Sequence, residues 1–191
     1  MPRVVDHEAR RRDIAKVTLQ LLARDGAAGL SLRSIAAEMG GSLTMVTHYY
    51  PNRQALMTDL AQQICTTWQT ALDEMDEKHH EPHDRLRTFM AWLLPLTARG
   101  HEEERARIAL LAADHDPDCR AVLLEFDGVV RGMLRDRLRG LMPKRRVPAA
   151  ADLLRAFVSG VVLDAQLSPE AWPAKRQLAL LDDLLAALLP E

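Results

Sequence analysis

The sequence predicts an all-α protein of about nine helices: a three-helix N-terminal helix-turn-helix domain followed by a helical bundle that dimerises through its last two helices. Three observations carry the fold class. Apolar residues recur at helical spacing in nearly every segment. Nowhere does a run of alternating β-branched residues lie between Asn-Gly or Asp-Gly turns. Of 191 residues, 48% are hydrophobic and 27% charged, ordinary for a chain that buries a core.

The first helix is expected over residues 7–24, with Ile14, Val17, Leu21 and Leu22 on one face and Gly26 closing it. Ser31 suits an N-cap for a short second helix lined by Leu32, Ile35, Ala36 and Met39, which stops at Gly40. Ser42 caps a third, two turns long. It must end by Tyr49, because Pro51 disfavours a helical Tyr50 and offers no N–H of its own. Asn52 caps a fourth helix, which runs through Leu56, Leu60, Ile64 and Trp68 toward Glu77. The polar stretch "EKHHEPHD" (77–84) reads as a linker. Further helices follow over 85–99, 102–114 and 118–141; "MPKRRVP" (142–148) is a proline-bounded loop, and helices over 149–167 and 174–189 finish the chain.

No segment reaches the roughly 18 unbroken apolar residues of a membrane span, and Asp6 and Glu8 stand where a signal peptide would be apolar. No membrane association is expected, and the expected location is the cytoplasm. Cys65 and Cys119 lie apart in helical contexts and are expected to be unbridged. Residues 1–58 carry eight basic and five acidic side chains, residues 59–191 carry 17 and 22, so the N-terminal part is mildly basic and the remainder acidic. That asymmetry suits a small region approaching a polyanion.

Two short helices joined by "GGS" form a helix-turn-helix. Projected at 100° per residue, Val46 and Tyr50 fall on one face of the third helix and pack inward; Thr44 and His48 land opposite, flanked by Met45 and Thr47. The outward face is small and polar. It fits either a poorly helical surface turn or a reading surface, since a major groove admits one helix and offers partners for hydroxyls and apolar contact from Leu43 and Met45. The flanks favour reading. Arg53 opens the fourth helix, where the helix dipole disfavours a cation unless an anion is near, and a DNA phosphate would be that anion. Backbone N–H groups beside Ser31, Ser42 and Asn52 can bind further phosphates. Arg10, Arg11 and Arg12, with Arg3 and Lys16, are either backbone contacts or a solvated face.

Other chemistries find little support. A Walker loop, a G-x-S-x-G elbow and an H-E-x-x-H pair are all missing, so neither an enzyme nor a bound cofactor is expected. His79, His80 and His83 with Glu81 make a metal-binding protein one rival reading, although a solvated loop fits them better and no metal is expected. A helical protein that only dimerises is the other, and it leaves the polar face of the third helix unexplained.

The stretch "SLRSIAAEMGGSLTMVTHYYPNRQAL" resembles the DNA-binding signature of the TetR family of transcriptional regulators. Ser31, Ile35, Ala36, Gly40, Ser42, Tyr49, Pro51 and Leu56 match, while Tyr50 and Arg53 conservatively replace the usual Phe and Lys. Gly41 stands where the family commonly has Val, Val46 where it has Leu, and Thr47 where a Tyr often touches the DNA backbone. The closing segment from residue 153 is similar to the C-terminal region of the BetI-like branch. The resemblance implies a DNA-binding domain over residues 1–57, with Ser31, Arg33, Ser42, Leu43, Thr44, Met45, Thr47, His48, Tyr49, Asn52 and Arg53 at double-stranded DNA. It implies a ligand-binding and dimerisation domain over 58–191, and a repressor released from its operator when a small-molecule effector binds.

A palindromic operator calls for a two-fold protein. The last two helices are more apolar than one inner face requires, which places a homodimer seam at Leu153, Phe157, Val161, Leu181 and Leu185, with Gly160 permitting close approach. Apolar side chains of the middle helices offer an effector cavity, with Trp92, His115 and Phe126 its candidate walls.

Overall fold

The computed structural model describes residues 6–113 and 116–189, and Arg3 and His115 lie outside them. Among the described residues the chain forms nine α-helices and no strand: α1 (His7–Asp25), α2 (Leu32–Glu38), α3 (Leu43–Thr47), α4 (Arg53–Lys78), α5 (Pro82–Trp92), α6 (Ala98–Ala112), α7 (Pro117–Leu138), α8 (Val147–Leu167) and α9 (Ala174–Leu188).

Local polar chemistry fixes the first four starts. Asp6 Oδ1 accepts from the Ala9 N–H at 3.0 Å. Ser31 and Ser34 exchange hydrogen bonds as a capping box at the head of α2. Ser42 Oγ accepts from Met45 N–H at 3.2 Å, and Asn52 Oδ1 from Ala55 N–H at 2.8 Å. The stop of α2 is equally local. Gly40 adopts φ +62°, a region that favours glycine, and the Gly41 N–H then reaches back to the Ala36 carbonyl at 2.9 Å.

By its contacts the chain divides into two compact units. The first comprises the described residues up to Thr66 together with the described part of Arg105–Phe126; α1, α2, α3 and the start of α4 enclose Ile14, Leu21, Leu22, Ile35, Val46, Tyr50, Leu56 and Leu60, none more than 2% exposed. Each such side chain contributes about 1.5–3 kcal/mol by leaving water. Arg24 of α1 braces α2 through Glu38 at 3.0 Å.

The second unit comprises Thr67–Glu104 and the described residues from Asp127 onward. Leu86, Phe89 and Met90 of α5, Leu134 and Leu138 of α7, Leu154, Val158 and Val162 of α8, and Leu181 of α9 form its core. Arg87 of α5 pairs with Asp182 of α9 at 2.6 Å.

Several expected boundaries move, each for a local reason. The helix expected over 85–99 begins at Pro82, where the missing N–H costs nothing, and ends at Trp92. Pro95 ends it early, because it disfavours a helical Leu94. With α4 reaching Lys78, the linker expected over 77–84 shrinks to residues 79–81, where Arg85 Nε donates to the His79 carbonyl at 2.7 Å. α6 starts ahead of the expected 102 and ends at Ala112, and α7 stops at Leu138 rather than 141 because Gly140 takes φ +92°. Within the loop expected over 142–148, Lys144–Arg146 form a 3-10 turn and α8 already begins at Val147. α3 has five helical residues rather than two full turns.

Candidate nucleic-acid interface

The α3 helix is short because its cap and its breaker are only a few residues apart. Ser42 starts it, and Pro51 ends any continuation beyond Tyr50. Five residues are too few to persist alone, so tertiary packing must hold them. Val46 and Tyr50 are fully buried and anchor the inner face. Beneath them lies a polar network: the Tyr50 hydroxyl donates to Asp59 of α4, which also accepts from Gln63 Nε2 at 2.7 Å and pairs with Arg11 of α1 at 3.4 Å. The Arg11 guanidinium stands 5.2 Å from the centre of the Tyr50 ring. Burial, and then the hydrogen bond to Asp59, push the Tyr50 phenol well above its usual range.

On the outer face Leu43, Thr44 and His48 are exposed, while Met45, Thr47 and Tyr49 are half-buried. His48 meets Tyr49 edge-on at 5.1 Å between ring centres, and His7 lies 5.7 Å from Tyr49 and 6.1 Å from His48. His7 had no signal in the sequence, since only the folded chain brings the head of α1 beside the end of α3. Ser31, Arg33, Ser42 and Asn52 are exposed around this face, and among the described residues no ion pair holds Arg33.

Three expected contacts sit differently from their simplest reading. The side-chain oxygens of Ser31, Ser42 and Asn52 accept from Ser34, Met45 and Ala55, so each cap already takes one N–H of its helix start. Met45 leans over the turn: a Cβ on Gly41 would lie 2.7 Å from its Cε and 2.8 Å from its Sδ, so the thioether occupies space that a larger residue at 41 would fill. Arg53 is only 22% exposed and has a protein anion: its Nη1 reaches Asp116 Oδ2 at 2.6 Å and Asp118 Oδ2 at 3.4 Å. A DNA phosphate was expected as the anion beside Arg53; within the chain that place is taken by the carboxylates of Asp116 and Asp118. The partner lies more than 60 residues away along the chain, beyond the reach of local reading.

In the second unit Trp92 stacks on Phe89 at 6.2 Å and takes the edge of Trp68 at 5.4 Å. Phe126 belongs to the first unit and is buried there. Of the expected seam, Leu153 is exposed and Phe157 and Leu185 are half-buried, but Val161 and Leu181 are 4% and 0% exposed. Both point into the core of their own unit and cannot meet a partner. The open apolar stripe of α8 instead runs through Leu153, Ala156, Phe157, Gly160, Leu163 and Leu167, all within one face at 100° per residue.

Residues 82–190 match the family described as BetI-type transcriptional repressor, C-terminal. Among curated relatives, the HTH-type transcriptional regulator PksA of Bacillus subtilis is 26% identical over 175 residues, covering 88% of this chain and 84% of its own. The HTH-type transcriptional regulator BetI of Paraburkholderia phytofirmans is 23% identical over 191 residues, covering 99% and 98%. A transcriptional regulator from Rhodococcus sp. Rha1 superposes with a TM-score of 0.80 at 23% identity, covering 94% of this chain and 95% of that one. One from Saccharomonospora viridis, solved in complex with choline, gives 0.78 at 16% identity over 94% and 96%.

Proposed function

The chain belongs to the TetR family of transcriptional regulators, and from that premise we propose that it is a homodimeric repressor that reads a palindromic operator with α3 and leaves it when a small molecule binds. Residues 1–57 read DNA, and residues 58–191 bind the effector and dimerise. It works in the cytoplasm and catalyses no reaction. The observation that carries this reading is the exposed Thr44 and His48 on a helix whose opposite face is locked by Val46 and Tyr50. A rigid stub with small polar tips is suited to base edges, where each good contact discriminates by about 1–3 kcal/mol.

The roles divide by position. Leu43, Thr44 and His48 face the bases; Ser31, Arg33, Ser42, Thr47, Tyr49, Asn52 and Arg53 hold the backbone, and Met45 supports the turn. The dimer forms through the exposed stripe of α8 together with Leu180 and Leu184 of α9. Trp92, half-exposed beside Phe89 and Trp68, is the candidate effector wall; the choline held by the Saccharomonospora viridis relative makes an organic cation the first ligand to try, since such cations rest on aromatic faces.

Salt-titrated binding to an enriched duplex and to random DNA tests the assignment. Thr44→Ala and His48→Ala are expected to reduce the preference for the enriched sequence. Arg33→Ala is expected to weaken both and to lower the salt slope by about 1. Equal weakening of both duplexes by all three variants would remove the division into base and backbone contacts.

A further inference from the structure

The Arg53 guanidinium is held by the start of a helix far along the chain but in the same compact unit. Asp116 is the N-cap of α7: its Oδ1 accepts from the Asp118 N–H at 3.0 Å and the Cys119 N–H at 3.2 Å, which leaves Oδ2 for Arg53 Nη1 at 2.6 Å. Asp118 adds a longer contact at 3.4 Å, and Nη2 meets the Cys119 sulfur at 3.4 Å. Burial opposes the charge on Asp116, yet the cap N–H groups and Arg53 outweigh it and hold its carboxyl below the usual range. The grip is incomplete. Arg53 Nε is buried and has no partner among the described residues, so one strong donor goes without an acceptor.

Arg53 also opens α4, directly after its cap Asn52 and a short turn beyond the end of α3 at Thr47, beside the proposed reading face. One cation thus has two suitors of the same chemistry, a carboxylate pair within the protein and a phosphate outside it. We propose that Asp116 and Asp118 form an internal phosphate mimic that withholds Arg53 from DNA. This rests on the DNA-binding reading above. Binding of a duplex must break the Arg53–Asp116 contact, and the released arginine exchanges the carboxylate pair for a phosphate of the same charge-assisted hydrogen-bonding chemistry. Because Asp116 caps α7 and Asp118 stands in its first turn, any displacement of that helix alters the hold on Arg53 and so the affinity of the reading head.

Removing acidic charge near DNA raises affinity by itself, so the test is a double-mutant cycle. Full-length wild type, Arg53→Gln, Asp116→Asn/Asp118→Asn and the combined protein are titrated with random-sequence duplex at fixed ionic strength. Asparagine is a good N-cap, so α7 keeps its start. Asp118→Asn alone, which leaves the cap untouched, serves as a second variant, and far-UV circular dichroism checks the helix content of each protein. The proposal predicts that the paired Asn substitutions tighten binding about tenfold when Arg53 is present and less than about threefold in the Arg53→Gln background. By the same cycle, Arg53→Gln costs at least about threefold more affinity in the Asn background than in wild type. An equal gain in both backgrounds would mean through-space repulsion only and overturn the withholding contact while leaving DNA binding intact. Failure of all four proteins to bind duplex would overturn the DNA-binding reading as well.

Discussion

At the scale of single residues, the hydroxyl of Tyr50 adds a polar contact where the family pattern that the sequence resembles has a phenylalanine. A phenylalanine there would fill the same space but leave Asp59 to Gln63 and Arg11 alone. Tyr50→Phe is expected to cost about 1–2 kcal/mol, seen as a melting point lower by about 2–8 °C. The effect depends on pH in a defined direction. Burial and Asp59 raise the phenol above its ordinary 10.0, so the folded state binds that proton more tightly than the unfolded state. The contribution is fully present below pH 10 and is lost as pH rises through the raised folded value. The gap between wild type and Tyr50→Phe should therefore narrow in alkaline melts; a gap that stays constant to the highest pH would mean that neither burial nor Asp59 raises the phenol. None of this was legible in the sequence, because Asp59 and Arg11 meet Tyr50 only through the packing of three helices. Thr44 and His48 were legible, since helical periodicity alone set them opposite Val46.

At the scale of elements, the short helices were readable because their limits are chemically local. Ser31, Ser42 and Asn52 cap where they stand, and Gly40 turns where a positive φ is needed. The end of α5 was equally local, but its signal, Pro95, lay inside an otherwise periodic apolar run that the period alone carries past Trp92. Within α3 the cap matters out of proportion to its size, because one hydrogen bond orders a five-residue helix. Ser42→Ala is expected to cost about 1 kcal/mol of stability. Its larger effect should be on discrimination: frayed α3 loses preference for the enriched duplex more than affinity for random DNA, measured in parallel titrations. Loss of both in equal proportion would show that Ser42 acts only through its backbone contact and not through the order of α3.

At the scale of the whole molecule, the fold class and the approximate helix count followed from periodicity, whereas the faces of the last two helices did not. Leu153, Val161 and Leu181 look alike in a helical pattern; only packing tells that Leu153 is 48% exposed and the other two are buried. The proposed dimer seam therefore rests on the exposed stripe, in which Leu163 and Leu167 remain 51% and 75% open in one subunit. Leu163→Glu is expected to yield a monomer in light scattering after gel filtration, with the helix content of a subunit retained. That monomer should bind specific DNA poorly, because one reading head forfeits the second half-site.

We propose that the outward face of α3 reads bases, twice, in a two-fold assembly. Selection of bound sites from a pool of random duplexes, using the purified full-length protein, tests it most directly. An enriched palindrome is expected, with half-sites about one or two helical turns apart and an enrichment that Thr44→Ala and His48→Ala weaken at defined positions. A pool that shows no enriched sequence, or one enriched identically by the variants, would contradict it.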